Sequence, residues 1–437
     1  MYLHPASLAR IVSDLKEEKM DLKEHINECC DRIEKYDYDV KALLPESGRR
    51  ERLLKEAEVL QETYPDPAKR PALYGALIGV KDIYQVDDFP TRAGSRLDPA
   101  ALAGPEAESV WLLRQCGALI LGKTVTTEFA YFVPGPTRNP HNLEHTPGGS
   151  SSGSAAAVAA GFSPLTLGTQ TIGSINRPAA FCGVIGFKPS YNRISRAGLI
   201  NFSPSVDHVG FFTQDIEGMI IAAETICHNW QEIDVTYKPI LGVPKGPYLE
   251  QASPEALEAF NAQLKRLEKA GYSIREINVF DNIEQINKNH RKLIAAEMAI
   301  EHEDLYAKYS DLYSSQTVEL IEEGINVTEK ELEEVRKQRK ELREEIEATM
   351  WPANLGLWVT PAATGPAPKG LQSTGDPIMN LPWTNTGMPS LTVPSGRSKE
   401  GLPLGLQLIA PFMGDELLLS WSSEVAKVFE EFQAYNL

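Results

Sequence analysis

Two serine-bearing loops and one lysine carry the residues whose types and order could do chemistry. The first loop is Pro147-Gly148-Gly149-Ser150-Ser151-Ser152-Gly153-Ser154, and it opens a run of small residues that ends at Gly161. The second is Gly168-Thr169-Gln170-Thr171-Ile172-Gly173-Ser174-Ile175-Asn176-Arg177-Pro178. A serine hydroxyl is a poor nucleophile unless a nearby base removes its proton, and a lysine can be that base only when neutral. Lys81 follows Ala76-Leu77-Ile78-Gly79-Val80, so its amine would end a dry strand, where desolvation favours the uncharged form. The competing reading is a lysine that snorkels outward beside Asp82.

Two other motifs fit well-known expressions but not their contexts. Gly117-Ala118-Leu119-Ile120-Leu121-Gly122-Lys123-Thr124 satisfies G-x-x-x-x-G-K-[ST]. A phosphate cradle needs a bare loop, whereas Ala-Leu-Ile-Leu is a buried-strand pattern that commits its N–H groups to a ladder. Lys123 is then structural. Gly149 to Gly153 matches the G-x-S-x-G elbow, but Asn139 to Pro147 before it cannot be the required strand. His208, beside Asp207, is read as a packed residue of a turn. None of the histidines forms an H-E-x-x-H set, so no metal is called for.

The elements that must hold these loops follow from periodicity. At about 150 residues per domain, 437 residues allow roughly three domains or one large α/β unit. Apolar positions at helical spacing predict helices over 6–19, 21–35 and 49–62. From Leu73 to Arg196 short apolar runs (76–80, 118–121, 165–167) read as buried strands, and 107–116 and 154–160 as covering helices. Strands are predicted at 240–243, 272–279, 357–360, 390–393 and 404–409, with helices at 254–270 and 415–432. Residues 281 to 349 read as charged helices, with a capping box from Thr328 to Glu331 and an apolar seam broken by Arg339. No chemistry is assigned to them. No linker separates the parts, so one domain over 1–437 is expected: N-terminal helices 1–62, a core 70–215 and the helical segment 281–349.

Charge and cysteines narrow the partners. Sixty acidic residues against 43 basic ones give −17, which repels a bare duplex or an anionic membrane surface; neither is expected as a direct partner. Five cysteines without a C-x-x-C pair suit a reducing cytoplasm. Asp14, Glu17 and Glu18 interrupt what a signal peptide would need, and no apolar stretch approaches the roughly 18 residues of a membrane span.

Both serine loops resemble the amidase signature family. The likeness extends to Gly75 to Asp82, Gly135 to Pro140, Phe187 to Ser190, Ser205 to Gly210 and Gly401 to Ile409. It implies a mixed, mostly parallel central sheet sandwiched by helices. It also implies a Ser-Ser-Lys triad in which Ser174 attacks an amide carbonyl, Ser150 relays the proton and Lys81 accepts it. The Gly149–Ser150 peptide would be cis. Chemistry would pass through an ester on Ser174, with release of ammonia or an amine and no cofactor. The N–H groups of Thr171, Ile172, Gly173 and Ser174 would form the oxyanion hole. Here the chain departs from the family's Gly-Gly-Ser: Ile172 stands where a glycine is usual, and a β-branched residue resists φ > 0.

Gln170 with Arg177 looks like the malonamidase-type branch, whose arginine binds a substrate carboxylate. The competing reading is an arginine pinned to a carboxylate or carbonyl in the core. Tyr131, Phe132, Trp351 and Trp383 lie in segments that line the family's substrate entrance. A small amide is the expected partner, and a homodimer is left open. Two alternatives stand beside this reading: the glutaminase subunit of a tRNA-dependent amidotransferase, and a non-catalytic member spoiled by Ile172.

Overall fold

Strands covered on both faces need nearly unbroken apolar runs. Three such runs become β1 (Leu77–Lys81), β2 (Leu119–Thr124) and β3 (Leu165–Gln170), buried throughout. The structure is a computed structural model that describes residues 2–233 and 235–432. β4 (Ile185–Lys188), β5 (His208–Thr213), β6 (Ile240–Lys245), β7 (Ile274–Asn278), β8 (Leu355–Pro361), β9 (Ser390–Arg397) and β10 (Pro403–Ile409) complete one sheet. Its order is β2-β1-β3-β5-β4-β9-β10-β8-β6-β7.

The sheet is mixed, as expected, but the "mostly parallel" expectation needs correction. Pairing is parallel only at the two ends, among β2, β1 and β3 and among β8, β6 and β7. Every pair from β3 to β8 is antiparallel. β5 returns between β3 and β4 and runs against both, and β9 and β10 continue the alternation through to β8. Both β4 and β5 are short and lie among Gly183, Pro189, Gly198 and Pro204, which masked them as loop in the sequence. His208 accordingly opens a strand and does not sit in a turn.

Helices sandwich this sheet. α1 (Leu8–Lys16), α2 (Leu22–Val40) and α3 (Arg49–Thr63) precede β1, and α4 (Glu108–Gln115) leads into β2. α5 (Ser152–Ala159), α6 (Asn176–Cys182) and α7 (Ile216–Ile226) follow the two serine loops and β5. Side chains alternate between two cores, as strand geometry requires. Ile78, Val80, Ile120 and Phe211 pack with Val110 of α4 and Met219 of α7. Leu77, Leu119, Leu121 and Phe212 pack with α5 and with Ile26 of α2. Helix starts are capped where the sequence offers a cap: Ser7 accepts from the Arg10 N–H and Asp215 from that of Gly218, each worth about 1 kcal/mol.

The C-terminal half adds α8 (Pro247–Glu250), α9 (Pro254–Lys269, capped by Ser253) and the charged helices α10 (Ile283–Glu301), α11 (Glu303–Tyr309), α12 (Ser315–Ile325) and α13 (Glu329–Met350). The Thr328–Glu331 capping box is formed. α14 (Leu381–Asn385) and α15 (Asp415–Lys427) complete the chain's helices among the described residues. Arg339, the charge that breaks the α13 seam, is buried: its Nε donates to the Asn385 carbonyl at 2.6 Å and its guanidinium lies 4.7 Å from the Tyr191 ring centre. Among the described residues no helix is long and apolar enough to cross a membrane. All five cysteines are free.

The serine loop depends on one close approach. A Cβ on Gly153, in the first turn of α5, would stand 2.2 Å from the Ala42 carbonyl oxygen and 2.3 Å from the Val125 nitrogen. Backbone on both sides cannot retreat as a side-chain tip can. Gly153→Ala should therefore cost about 1–3 kcal/mol or more, measured as a lower denaturant midpoint; an unchanged midpoint would contradict this packing.

Candidate active site

Lys81 closes β1 completely buried, with 0 % of its surface exposed. Its Nζ lies 2.8 Å from Ser150 Oγ, 2.7 Å from Thr169 Oγ1 and 3.5 Å from the Thr169 carbonyl. Those three contacts fit a neutral amine, which has two hydrogens to give Thr169 and one lone pair to receive the Ser150 proton. Desolvation pushes its pKa well below the ordinary lysine value, opposed by the charge of Asp207. The snorkelling alternative is thereby excluded. The neighbouring Asp82 is occupied elsewhere, 3.0 Å from the Lys123 ammonium. Lys123 also donates to the Tyr84 carbonyl and Thr91 Oγ1, and Leu119–Thr124 is strand, so the phosphate-loop match has no cradle.

The two loops meet around this amine. Ser150 precedes α5, and the Gly149–Ser150 peptide is cis, as the resemblance implies. Ser151 ties its loop to β3 through the Thr169 carbonyl and N–H. Past β3, Gln170 Oε1 accepts from the N–H groups of Ile175 and Asn176 at 2.7 and 2.9 Å, which draws residues 171–174 into a tight bend before α6. Ser174 sits in that bend and is 7 % exposed. Among the described residues its hydroxyl forms no hydrogen bond, so the Lys81–Ser150 link is closed and the Ser150–Ser174 link is not. Nor, among the described residues, do the N–H groups of Ile172, Gly173 and Ser174 donate to any protein acceptor.

Ile172 is not among the residues with positive φ, so its β-branched side chain sits in the bend without the strain the sequence suggested. Gly173 is needed for space: a Cβ there would stand 2.4 Å from Asn380 Oδ1 and 2.8 Å from Pro377 Cβ.

Arg177, in α6, is 1 % exposed. Its Nη2 donates to the Gly149 carbonyl at 2.6 Å and to Thr374 Oγ1 at 3.0 Å. Half of the structural alternative is therefore realised, since a carbonyl pins it. Yet its Nε and Nη1 are buried without a partner, and among the described residues its hydrogen bonds go to a carbonyl and a hydroxyl and to no carboxylate. Desolvation lowers its pKa to about 10 against the pull of Asp376.

Thr169 and Asp207 escaped the sequence reading. Asp207 Oδ1 accepts from Thr171 Oγ1 at 2.6 Å, and Oδ2 from the N–H groups of Phe202 and Ser203. Burial raises its pKa to about 6. A buried amine demands acceptors, which was the available signal, but the β1–β3 pairing that supplies Thr169 is non-local. His208 is packed, as expected: its Nδ1 lies 2.6 Å from the Val206 carbonyl, and burial lowers its pKa well below the usual range. The four aromatics do not form one wall: Trp383 is core at 0 % exposed and Trp351 stands in solvent at 80 %, while Tyr131 and Phe132 pack together with ring centres 4.7 Å apart. Among the described residues no group of three or more His, Cys, Asp or Glu could hold a metal ion.

A mixed α/β scaffold with a dry amine beside a serine-rich bend defines a class of amide-cleaving hydrolases, and comparison with known proteins places the chain within it. A family model described as Amidase matches residues 24–419. The glutamyl-tRNA(Gln) amidotransferase A subunit of Koribacter versatilis (strain Ellin345) is 31% identical over 435 residues, covering 87% of this chain and 89% of that protein. The protein of the same name from Syntrophobacter fumaroxidans is 30% identical, covering 84% and 85%. A solved structure titled as an amidase superposes with a TM-score of 0.86 at 29% identity, covering 97% of this chain and all of that one. Peptide amidase from Stenotrophomonas maltophilia shares the fold, with a TM-score of 0.82 at 23% identity and 97% coverage of both chains. The chain belongs to the amidase family and is an enzyme acting on amide C–N bonds. The name of the first two relatives carries a tRNA, so net charge alone does not exclude a nucleic acid from the reactions of such proteins.

Burial of Lys81 has a measurable sign. Its folded pKa is depressed, so between that value and about 10.4 the unfolded chain binds the extra proton and stability rises with pH. Lys81→Met removes this dependence. The variant's stability relative to the parent, from chemical denaturation, should be greatest near neutral pH and shrink as pH approaches the unfolded lysine value. A difference that does not vary with pH would contradict an uncharged amine.

Proposed function

We propose that the protein hydrolyses a small, carboxylate-bearing amide through a Ser-Ser-Lys triad and an ester on Ser174. The observation that carries this reading is the fully buried Lys81 amine 2.8 Å from Ser150 Oγ. As Ser174 Oγ bonds to the amide carbonyl carbon, its proton passes to Ser150 and the Ser150 proton to Lys81. The carbonyl oxygen becomes an oxyanion facing the unpartnered N–H groups of residues 172–174, donors fixed in place before the charge appears. The C–N bond then breaks, the proton returns through Ser150 to the leaving nitrogen, and ammonia or an amine departs. Water, activated by the same pair, cleaves the ester and restores Ser174.

Arg177 is the proposed carboxylate site. A buried guanidinium with two unpartnered nitrogens and no acidic partner keeps charged donors free for a carboxylate. Its two existing bonds both use Nη2, which leaves Nη1 and Nε, each as a separate donor, for that purpose.

One observation favours a second reading. The relatives that match most of this chain are named as subunits of an amidotransferase, and a component of that kind would work inside an assembly. Stoichiometric co-purification of partner subunits from the native source would favour it, whereas ammonia release by the purified chain alone favours the free amidase.

Activity separates the roles. Ser174→Ala and Lys81→Ala should lower ammonia release from small amides such as malonamate by about three orders of magnitude or more. Arg177→Leu should reduce kcat/KM about 10- to 100-fold for an amide bearing a free carboxylate, the size of a lost charged hydrogen bond. The corresponding ester should be affected far less. Equal kcat/KM for acid and ester in the parent enzyme would remove the carboxylate role.

A further inference from the structure

The charged helices, to which the sequence assigned no chemistry, reach the nucleophile's loop at one point. His290 of α10 is 0 % exposed; its Nε2 lies 3.1 Å from the Thr171 carbonyl oxygen and its Nδ1 3.0 Å from Asn385 Nδ2. A carbonyl can only accept, so Nε2 must carry the proton. In a neutral ring Nδ1 is then the acceptor, and Asn385 must offer its amide nitrogen. Asn385 thus selects one tautomer of His290, and the Arg339 guanidinium of α13 holds Asn385 through its carbonyl. Burial keeps the imidazole neutral, with its pKa lowered to about 4.

The neighbouring residue of α14 acts on the next peptide. Thr384 Oγ1 lies 2.7 Å from the Ile172 carbonyl and 3.1 Å from that of Asn380, gives its one hydrogen to the nearer, and accepts from Gln170 Nε2 at 2.8 Å. Consecutive carbonyls of the bend, 171 and 172, are therefore each held from behind by a buried donor. In a planar trans peptide the C=O of one residue and the N–H of the next point in opposite directions. Fixing the Thr171 carbonyl fixes the direction of the Ile172 N–H, and fixing the Ile172 carbonyl fixes that of Gly173.

We propose that His290, set in one tautomer by Asn385, is a positioning residue that aims the Ile172 N–H at the developing oxyanion, with Thr384 doing the same for Gly173. The inference rests on the reading of the 172–174 N–H groups as the oxyanion site. Removing the imidazole leaves the donor present but free to rotate away, so the loss falls on the transition state and not on ground-state binding. Gln at position 290 retains an amide N–H at about the reach of Nε2 and restores the hold.

The test uses the full-length protein and a fluorophosphonate probe, which requires no knowledge of the natural amide. Ser174 Oγ bonds to phosphorus as its proton passes through Ser150 to Lys81, fluoride leaves, and the phosphoryl oxygen occupies the oxyanion position. Saturation kinetics separate the maximal labelling rate from the half-saturating concentration. His290→Leu should lower the maximal rate about 10- to 100-fold, with half-saturation moved less than about threefold, and His290→Gln should return the rate to within about threefold of the parent. Should His290→Leu not fold, His290→Phe, a ring of similar size without an N–H donor, carries the same expectation. Equal loss in the Leu and Gln variants, a loss confined to half-saturation, or a folded His290→Leu that labels at the parent's rate would overturn the proposal. In those cases the Ser174 assignment survives; a parent protein that is never labelled at Ser174 overturns both.

Discussion

Lys81 is sealed from solvent, and an amine in that position must be neutral or share its site with an anion. Among the described residues no carboxylate pairs with it, and its hydrogen-bond partners are two hydroxyls and a carbonyl. The acidic group that acts on it, Asp207, has its own pKa raised by burial and is held by Thr171, Phe202 and Ser203. Much of the fold follows from keeping that amine dry. β1 must run buried to its last residue, β3 must lie beside it to supply Thr169, and the Ser150 loop must close over both.

The same economy of partners governs the bend that carries Ser174. Gln170 gathers the N–H groups that begin α6, Gly173 makes room for Asn380, and Arg177 reaches back to the Gly149 carbonyl. Three layers therefore meet there: the sheet through β3, the inner helices α5 and α6, and the outer helices through His290 and α14. Glu297 of α10 adds a further tie, accepting from Ser203 Oγ and the Ser205 N–H on the loop that holds Asp207. The outer helices are thus part of the scaffold of the site and not a detached surface.

Legibility followed the range of the interactions. Lys81 after an apolar run, the small-residue loops and the Ser253 and Thr328 caps are local patterns, and the structure places Lys81 against Ser150 as the motifs implied. The strands β4 and β5 were missed because turn residues crowd both, and the antiparallel pairing of β9 and β10, though both strands were predicted, is a long-range choice that local pattern does not encode. Thr169, Asp207, His290 and Asn385 could not be read, since each acts across a pairing or a helix contact that no local spacing encodes. Arg339 was visible only as a flaw in an apolar stripe; its meaning is the Asn385 carbonyl it meets. Trp383 and Trp351 show the converse error, in which residue type alone suggested a wall that burial then divided between core and solvent.

The central claim is the charge state of one amine. Lysine side-chain NMR of selectively labelled protein, with the Lys81 resonance assigned by its loss in Lys81→Met, would follow that titration directly. A Lys81 signal that stays in the uncharged form through mildly alkaline pH, and protonates well below the usual value of about 10.4, is the predicted result. A signal that remains an ammonium up to that value would contradict the account.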